Sequence, residues 1–197
     1  SEVARTAGRA ITVYNQGMAT LETQRLRLEP FSLIDFDVFV SEMLSDPRVV
    51  QFYYSYQGLT DLEVIRCKAK SDFWDEFELS RENYGWPTWA AYDQSSRDTM
   101  IGWCGLLHGE LSETRKKPEL QYMIAGDSHG QGYATELAGA VLQRAATDRI
   151  AESVIATVDI PNVGSIKVLE KLGFVRTGKI HAYGSDDMYL YELSLLD

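Results

Sequence analysis

Residues 120–146, with the sequence LQYMIAGDSHGQGYATELAGAVLQRAA, contain the pattern that decides the fold of this chain. The first part, residues 120–125, is short, apolar and rich in residues that favour β-strands. A polar break with glycines follows at residues 126–132, and from Tyr133 the apolar residues recur at helical spacing. The stretch therefore predicts a strand, a glycine-rich turn and a helix. The unpaired N–H groups in the first turn of such a helix form an anion-binding site.

Two common phosphate-binding loops do not fit this turn. Gly132 is not followed by Lys-Ser/Thr, which excludes the triphosphate-binding loop. The sequence from Gly130 to Thr135 also lacks the third glycine of the dinucleotide-binding fingerprint. Taken alone, these glycines are equally consistent with a turn that only reverses the chain.

Gly132, Tyr133 and Ala134 match the second half of Gln/Arg-x-x-Gly-x-Gly/Ala. This pattern resembles the coenzyme A pyrophosphate loop of the GNAT N-acetyltransferase superfamily. His129 occupies the first position of the pattern, where the family has Gln or Arg. The departure removes one side-chain donor and leaves the main-chain cradle intact.

Two longer strings point to one branch of that superfamily. HGQGYATE at residues 129–136 resembles the branch that contains the ribosomal-protein N-terminal (alanine/serine) acetyltransferases. LETQRLRLEPF at residues 21–31 resembles the opening strand of the same branch. Glu136 is an acid beside the anion site, so we expect its side chain to point away from the ligand.

A second motif lies further along the chain, at residues 162–174, NVGSIKVLEKLGF. It is similar to N-x-x-S-x-x-x-L-E-K-L-G-F, a hallmark of the same superfamily. Taken alone, the segment is a helix that Asn162 caps and Gly173 ends. Because both motifs occur in the family's order, with a buried strand between them, the pair is more specific than either motif.

Hydrophobic periodicity predicts the remaining elements. Ser32 is expected to cap a helix over residues 33–44, and Thr60 to cap a second helix. The predicted strands cover residues 25–30, 88–92, 100–107, 118–125, 154–160 and 189–195. Helices are also predicted from residue 133 and over residues 163–172.

These elements indicate one α/β (α+β) domain with a mixed, mostly antiparallel central sheet flanked by helices. The resemblance implies a GNAT-like sheet that is splayed at the coenzyme A site. Met18 fits a natural start, so we expect the domain to cover residues 18–197 and residues 1–17 to be an extension. An ordered N-terminal arm is the alternative for residues 1–17.

The cofactor implied by the resemblance is acetyl-coenzyme A. Main-chain groups of Met123, Ile124 and Ala125 would pair with its pantetheine arm, and Asn162 and Ser165 would approach that arm from the second motif. The pyrophosphate would lie on Gly130, Gln131, Gly132, Tyr133, Ala134 and Thr135.

Transfer from a thioester to an amine needs a base for the amine proton, donors for the oxyanion and an acid for the thiolate. Glu119 matches the family's acidic position at the start of the central strand and is the candidate base; an exposed strand-end carboxylate is the alternative. Ser165 is the candidate acid, with helix capping or packing as the alternative, and Tyr133 and Tyr189 are reserves. A main-chain N–H near Met123 would bind the thioester carbonyl.

The acceptor is expected to be an amine, either a peptide N-terminus or a small molecule. Transfer of a longer acyl group and a catalytically silent coenzyme A-binding or sensory module are the alternatives. Aromatic residues 52–56 and Trp86 could line the acceptor cleft or belong to the core. Acidic residues of the second helix would favour a cationic acceptor, although a solvated helix face explains them more simply: Asp72, Asp75, Glu76 and Glu78. The family also implies a possible homodimer.

Bulk properties exclude several classes of protein. The net charge of −10 and pI near 4.8 argue against a nucleic-acid binder, which needs a basic face. No apolar run is long enough for a membrane span. The histidines are scattered and the cysteines Cys67 and Cys104 have no metal spacing, so we expect no metal site and buried thiols in the cytoplasm.

Overall fold

The computed structural model describes residues 20–96, 99–108, 111 and 115–196. Within this part of the chain, an eight-stranded sheet carries helices on both faces. The expected extension at residues 1–17 lies outside the described residues.

The sheet is mixed and mostly antiparallel, as predicted. Its strand order is β1-β2-β3-β4-β5-β6-β8-β7, and every neighbouring pair is antiparallel except β5 and β6, which run parallel. The strands are β1 Leu21–Glu22, β2 Leu26–Pro30, β3 Trp89–Asp93, β4 Met100–Leu107, β5 Glu119–Ile124, β6 Ser153–Asp159, β7 Val175–Ala182 and β8 Ser185–Ser194.

The helices follow the predicted positions closely. They are α1 Leu33–Val38, α2 Leu62–Ala69, α3 Asp75–Tyr84, α4 Tyr133–Thr147 and α5 Val163–Lys171. A π-helical turn, Phe39–Met43, continues α1, so the predicted helix over 33–44 is present with one turn widened. Ser32 caps α1 in a capping box with Asp35, as expected. Asp61, not Thr60, caps α2, because the Asp61 carboxylate accepts the N–H groups of the first helical turn.

Each face of the sheet has its own hydrophobic core. One core packs α4 and α5 on the sheet through residues such as Leu137 and Leu169. The other packs α1–α3 on the opposite face, where Phe39 and Phe73 meet edge to face at 5.2 Å between ring centroids. A buried side chain of this size contributes about 1.5–3 kcal/mol, so the two layers fix the central strands between them.

The structure also differs from the predictions at other places outside the site. β7 was not predicted, and β8 begins at Ser185, four residues before the predicted start at Tyr189. Both cysteines were predicted to be buried. Cys104 is buried, but Cys67 is exposed on α2, so the prediction is wrong for Cys67. Of the two alternatives for the aromatic residues, the core is confirmed for Trp86, which lies in the α4–α5 core, and for Tyr56, which lies in the opposite core.

Candidate active site

The central feature of the site is a gap in the sheet between β5 and β6. Among the described residues, these parallel strands pair at a single register position, Glu119 with Ile155. Beyond it, β5 continues along β4 and β6 continues along β8. The two strands therefore diverge toward the carboxyl end of β5, where the glycine-rich turn begins.

The main chain of β5 offers its groups to the gap at alternate residues. The Ala125 N–H donates to the Ile101 oxygen on β4, and a Cβ placed on Gly102 would overlap the Met123 main-chain oxygen. Because hydrogen-bonding direction alternates along a strand, the main-chain groups of Tyr122 and Ile124 are directed at the opposite edge, which is the gap. The structure therefore turns Met123 and Ala125, two of the three predicted pantetheine-binding residues, toward β4.

The turn after β5 holds its main chain in a shape that depends on glycine. Gly130 and Gly132 have φ values of 73° and 84°, in the left-handed region that residues with a Cβ rarely adopt. A Cβ on Gly130 would meet nothing within 4 Å, so the open space on this side of the turn is accessible. His129 braces the turn, with Nε2 at 2.8 Å from the Ile124 oxygen.

A run of main-chain N–H groups, from the end of this turn into the first turn of α4, has no partner in the described part of the chain. Within the described residues, the main-chain N–H groups of residues 130–135 have no hydrogen-bond partner, and the first paired one, Glu136, donates to Gly132. These are the residues predicted to hold a pyrophosphate. A row of free donors at the positive end of a 15-residue helix is a strong anion-binding arrangement.

Glu136, the acid in that first turn, is bound by residues of the connection between β1 and β2. Its carboxylate accepts from the Thr23 hydroxyl at 2.6 Å and pairs with Arg25 at 2.7 Å. Burial acts to raise the pKa of Glu136, but these bonds outweigh it and hold the pKa below its ordinary value. The charge of Glu136 is thus compensated within the protein.

Glu119, the candidate base, lies at the closed end of the gap and is 1% exposed. Its carboxylate accepts from the Thr157 hydroxyl at 2.6 Å and from the Tyr183 hydroxyl. Burial raises the pKa of Glu119 above its ordinary value, although these hydrogen bonds oppose the shift. The alternative interpretation of Glu119 was an exposed carboxylate at a strand end. Its burial excludes that alternative. Tyr183 and Thr157 were not predicted.

Two further carboxylates, one on α3 and one at the end of β6, act on the same electrostatic partner as Glu119, the hydroxyl of Tyr53. Burial, followed by the charge of Glu119, raises the pKa of Glu76 on α3 to about 7, and Glu76 Oε1 is buried without a hydrogen-bond partner in the described structure. Asp159 is buried at the end of β6 and accepts from Ser185. Burial raises the pKa of Tyr53, and the charges of Glu119, Asp159 and Glu76 add to this shift. These residues therefore share one acidic region, and Glu76 is not part of a solvated helix face.

Ser165, the candidate acid, is joined to β5 across the open end of the gap. Its Oγ lies 2.7 Å from the hydroxyl of Tyr122. Asn162 caps α5 by accepting the Ser165 N–H at 3.1 Å, as predicted. Burial raises the pKa of Tyr122, which keeps its hydroxyl protonated. Tyr122 was missed, although its apolar neighbours at alternate positions of β5 place it on the α5 face of the sheet.

The reserve acids lie elsewhere. The Tyr133 hydroxyl reaches Asp93 at 3.4 Å, and its ring lies under Arg25. Tyr189 packs against Tyr191 with 6.5 Å between ring centroids, and Arg176 stacks over it. Among the three candidate acids Ser165, Tyr133 and Tyr189, the described structure shows a hydrogen bond to the β5 residue Tyr122 for Ser165 only.

In the described residues, no cluster of His, Cys, Asp and Glu side chains has the arrangement of a metal site. No helix in the same part of the chain is long and apolar enough to cross a bilayer.

A family model described as an acetyltransferase (GNAT) domain matches residues 25–175, which include the gap, the glycine-rich turn and both candidate catalytic residues. The chain belongs to the GNAT acetyltransferase family. Its relatives include the uncharacterized protein YkkB of Bacillus subtilis, 30% identical over 78% of this chain and 83% of that protein. An uncharacterized N-acetyltransferase, p20 of Bacillus licheniformis, is 27% identical over 89% of this chain and 96% of that protein.

Solved GNAT structures share the same architecture. A GnaT-family acetyltransferase from Bordetella pertussis superposes with a TM-score of 0.70 at 22% identity, over 88% of this chain and 98% of that one. A RimL ribosomal L7/L12 alpha-N-protein acetyltransferase in complex with coenzyme A has a TM-score of 0.68 at 15% identity, covering 89% and 98% of the two chains. A spermidine N-acetyltransferase from Vibrio cholerae, in complex with coenzyme A and spermine, has a TM-score of 0.65 at 16% identity, covering 88% and 97%. At these identities the likeness establishes the GNAT fold alone.

Proposed function

We propose that this chain is an acetyl-coenzyme A-dependent N-acetyltransferase that transfers the acetyl group directly to a primary amine. The observation that carries the proposal is the row of unpaired main-chain N–H groups at residues 130–135, beside a gap between parallel strands. Such donors favour a diphosphate, and a gap whose edge presents strand main chain favours an amide-containing arm. Coenzyme A has both parts. The main-chain groups of Tyr122 and the N–H of Ile124 are the ones directed at such an arm, since the Ile124 oxygen already lies 2.8 Å from His129 Nε2.

Glu119 is proposed as the base. A protonated amine cannot attack a thioester, so its proton must first move to the carboxylate, directly or through water. The raised pKa brings the basicity of Glu119 closer to that of an amine near neutral pH. Attack then forms the C–N bond and a tetrahedral intermediate whose oxyanion needs a main-chain donor on β5. The nitrogen of this intermediate carries one extra proton, which passes to solvent water before the amide forms.

Ser165 is proposed as the acid. When the intermediate collapses, the C–S bond breaks and the sulfur takes the electron pair, so a proton from the Ser165 hydroxyl would leave coenzyme A as a neutral thiol. Tyr122 can replace that proton through the 2.7 Å contact. No covalent enzyme intermediate is required, and Cys104 is buried with a pKa that burial raises, so it is a poor nucleophile.

The acceptor is proposed to be a cationic amine. The charges of Glu119, Asp159 and Glu76 all raise the pKa of Tyr53, and the charge of Glu119 also raises that of Glu76, so an acceptor with a positive charge would be favoured in this region. A peptide N-terminus and a polyamine both satisfy this requirement. The structural neighbours named for ribosomal L7/L12 and for spermidine represent these two acceptor types.

The test is release of coenzyme A thiol from acetyl-coenzyme A in the presence of a panel of acceptors. Peptides with different N-terminal residues form one half of the panel, and polyamines, amino acids and other small amines form the other. Turnover with at least one amine is expected, and succinyl-coenzyme A in place of acetyl-coenzyme A identifies a longer-chain transferase. Coenzyme A binding without turnover on any acceptor would identify a silent binding module and contradict the proposed catalysis.

A further inference from the structure

Arg25, the residue immediately before β2, makes several contacts with the glycine-rich turn and with the first turn of α4. Its main-chain N–H and its Nε donate to the two oxygens of Glu136, at 2.9 and 2.7 Å. Its Nη1 donates to the Gln131 main-chain oxygen at 3.0 Å. The guanidinium also lies over the Tyr133 ring, 4.2 Å from its centroid. A single side chain therefore bridges the turn, the first residue of α4 and the acid in its first turn.

The contact with Gln131 determines how the turn presents its donors. A peptide unit is planar and trans, so the carbonyl of one residue and the N–H of the next point in opposite directions. Because Arg25 holds the Gln131 carbonyl on the β2 side, the Gly132 N–H points to the open side. Without this bond, rotation of the peptide would direct a carbonyl oxygen at the anion.

The contact with Glu136 removes a repulsion. A carboxylate in the first helical turn lies close to any diphosphate bound there, and the two anions would repel each other. Arg25 is 39% exposed and Glu136 is 18% exposed, so the pair is partly shielded from solvent. The fork of the guanidinium is needed because it serves Glu136 and Gln131 at the same time, which a lysine ammonium cannot reproduce.

We propose that Arg25 is a positioning residue for the pyrophosphate-binding turn, which it shapes from the neighbouring strand. This inference rests on the proposed use of coenzyme A. Arg25 acts through the turn, and its effect is confined to ligands that carry the pyrophosphate.

The experiment compares coenzyme A with acetyl-pantetheine, which has the reactive thioester and the arm but no pyrophosphate. Arg25→Gln is expected to raise the calorimetric Kd for coenzyme A by about 10- to 100-fold, the range for loss of a charge-assisted hydrogen bond. The KM for acetyl-coenzyme A should rise in parallel, while the KM for the amine and the kcat/KM for acetyl-pantetheine stay unchanged. Arg25→Lys should give an intermediate Kd, because it restores the charge without the second bond.

Arg144→Gln is the matched control, since Arg144 pairs with Asp148 at 2.6 Å near the other end of the same helix. It should leave the Kd for coenzyme A unchanged. A wild-type chain that does not bind coenzyme A would overturn the proposed function and this inference with it. If the wild-type protein binds coenzyme A, and Arg25→Gln or Arg25→Lys binds it with the same Kd as wild type, the role of Arg25 is overturned and the proposed function is not. Equal losses with coenzyme A and acetyl-pantetheine would also overturn it, because they would mark a general structural defect.

Discussion

Replacing Glu76 with Gln tests the acidic region without any assumption about the reaction. The pKa of Glu76 is raised from 4.5 to about 7, with burial as the main cause and the charge of Glu119 as the second. Between these pH values the folded protein binds a proton that the unfolded chain does not, so the stability of the fold falls as the pH rises from about 4.5 through 7. The full shift corresponds to about 3 kcal/mol. Solvent screening of a side chain that is not fully buried reduces this, and we expect ~1–2 kcal/mol.

Urea unfolding at pH 4 and pH 8 measures this difference. Glu76→Gln should be about 1–2 kcal/mol more stable than the wild-type protein at pH 8, and the two should nearly coincide at pH 4, which lies below the unfolded-state pKa of 4.5, so that Glu76 is protonated in both states. Glu82→Gln is the matched control, since Glu82 is exposed on the same helix. It should not alter the pH dependence. Parallel stability curves for wild type and Glu76→Gln would refute the desolvation of Glu76.

Three further predictions concern the candidate site and the two thiols. Glu119→Gln should lower kcat/KM by about 100-fold or more. It should also abolish the fall in rate at low pH, which arises when a base with a raised pKa becomes protonated. A pH–rate profile that matches wild type would exclude Glu119 as the base. Gly132→Ala should weaken coenzyme A binding by about tenfold or more in calorimetry, because a φ of 84° costs a residue with a Cβ about 1–2 kcal/mol. Gly178→Ala is the control and should bind coenzyme A with the wild-type Kd, because Gly178 has open space around it and no positive φ. A thiol reagent should modify Cys67 within minutes in the native protein and Cys104 only after unfolding, and native labelling of both would contradict the packing of β4.

The stretch that was easiest to predict was the strand, turn and helix around Gly132. Glycines mark the turn because two of its residues need positive φ, and the apolar spacing changes from strand to helix on either side. Both signals are local, so the sequence alone was enough. The cap at Asn162 and the end of α5 at Gly173 were predictable for the same reason.

β7 could not be predicted because it is an edge strand. Residues 175–182 carry arginine, threonine, glycine and lysine, and most of them are exposed. An edge strand with little buried surface has no alternating pattern to detect. Its pairing with β8 depends on tertiary structure.

The acidic region could not be predicted for a different reason. Glu76 lies on a helix with several other acids, and on such a helix the sequence favours a solvated face. The raised pKa of Glu76 arises because α3 packs near β5, and Glu119 is more than forty residues away in sequence. Likewise, Tyr122 and Ser165 meet across 43 positions of the chain. Contacts of this range depend on how helices pack on the sheet, and a pattern of residue types along one segment does not contain that information.

The single register pair between β5 and β6 divides the sheet into two blocks, one of strands β1–β5 and one of β6, β8 and β7. Among the described residues, every other neighbouring pair of strands is joined at two or more register positions, so the gap between β5 and β6 is an opening inside the sheet where a guest can pair with strand main chain. A cofactor arm lying there would act as a removable ninth strand. Its arrival would cross-link the two blocks, and its departure with each turnover would leave the fold intact, because α4 and α5 hold the blocks together through a shared core.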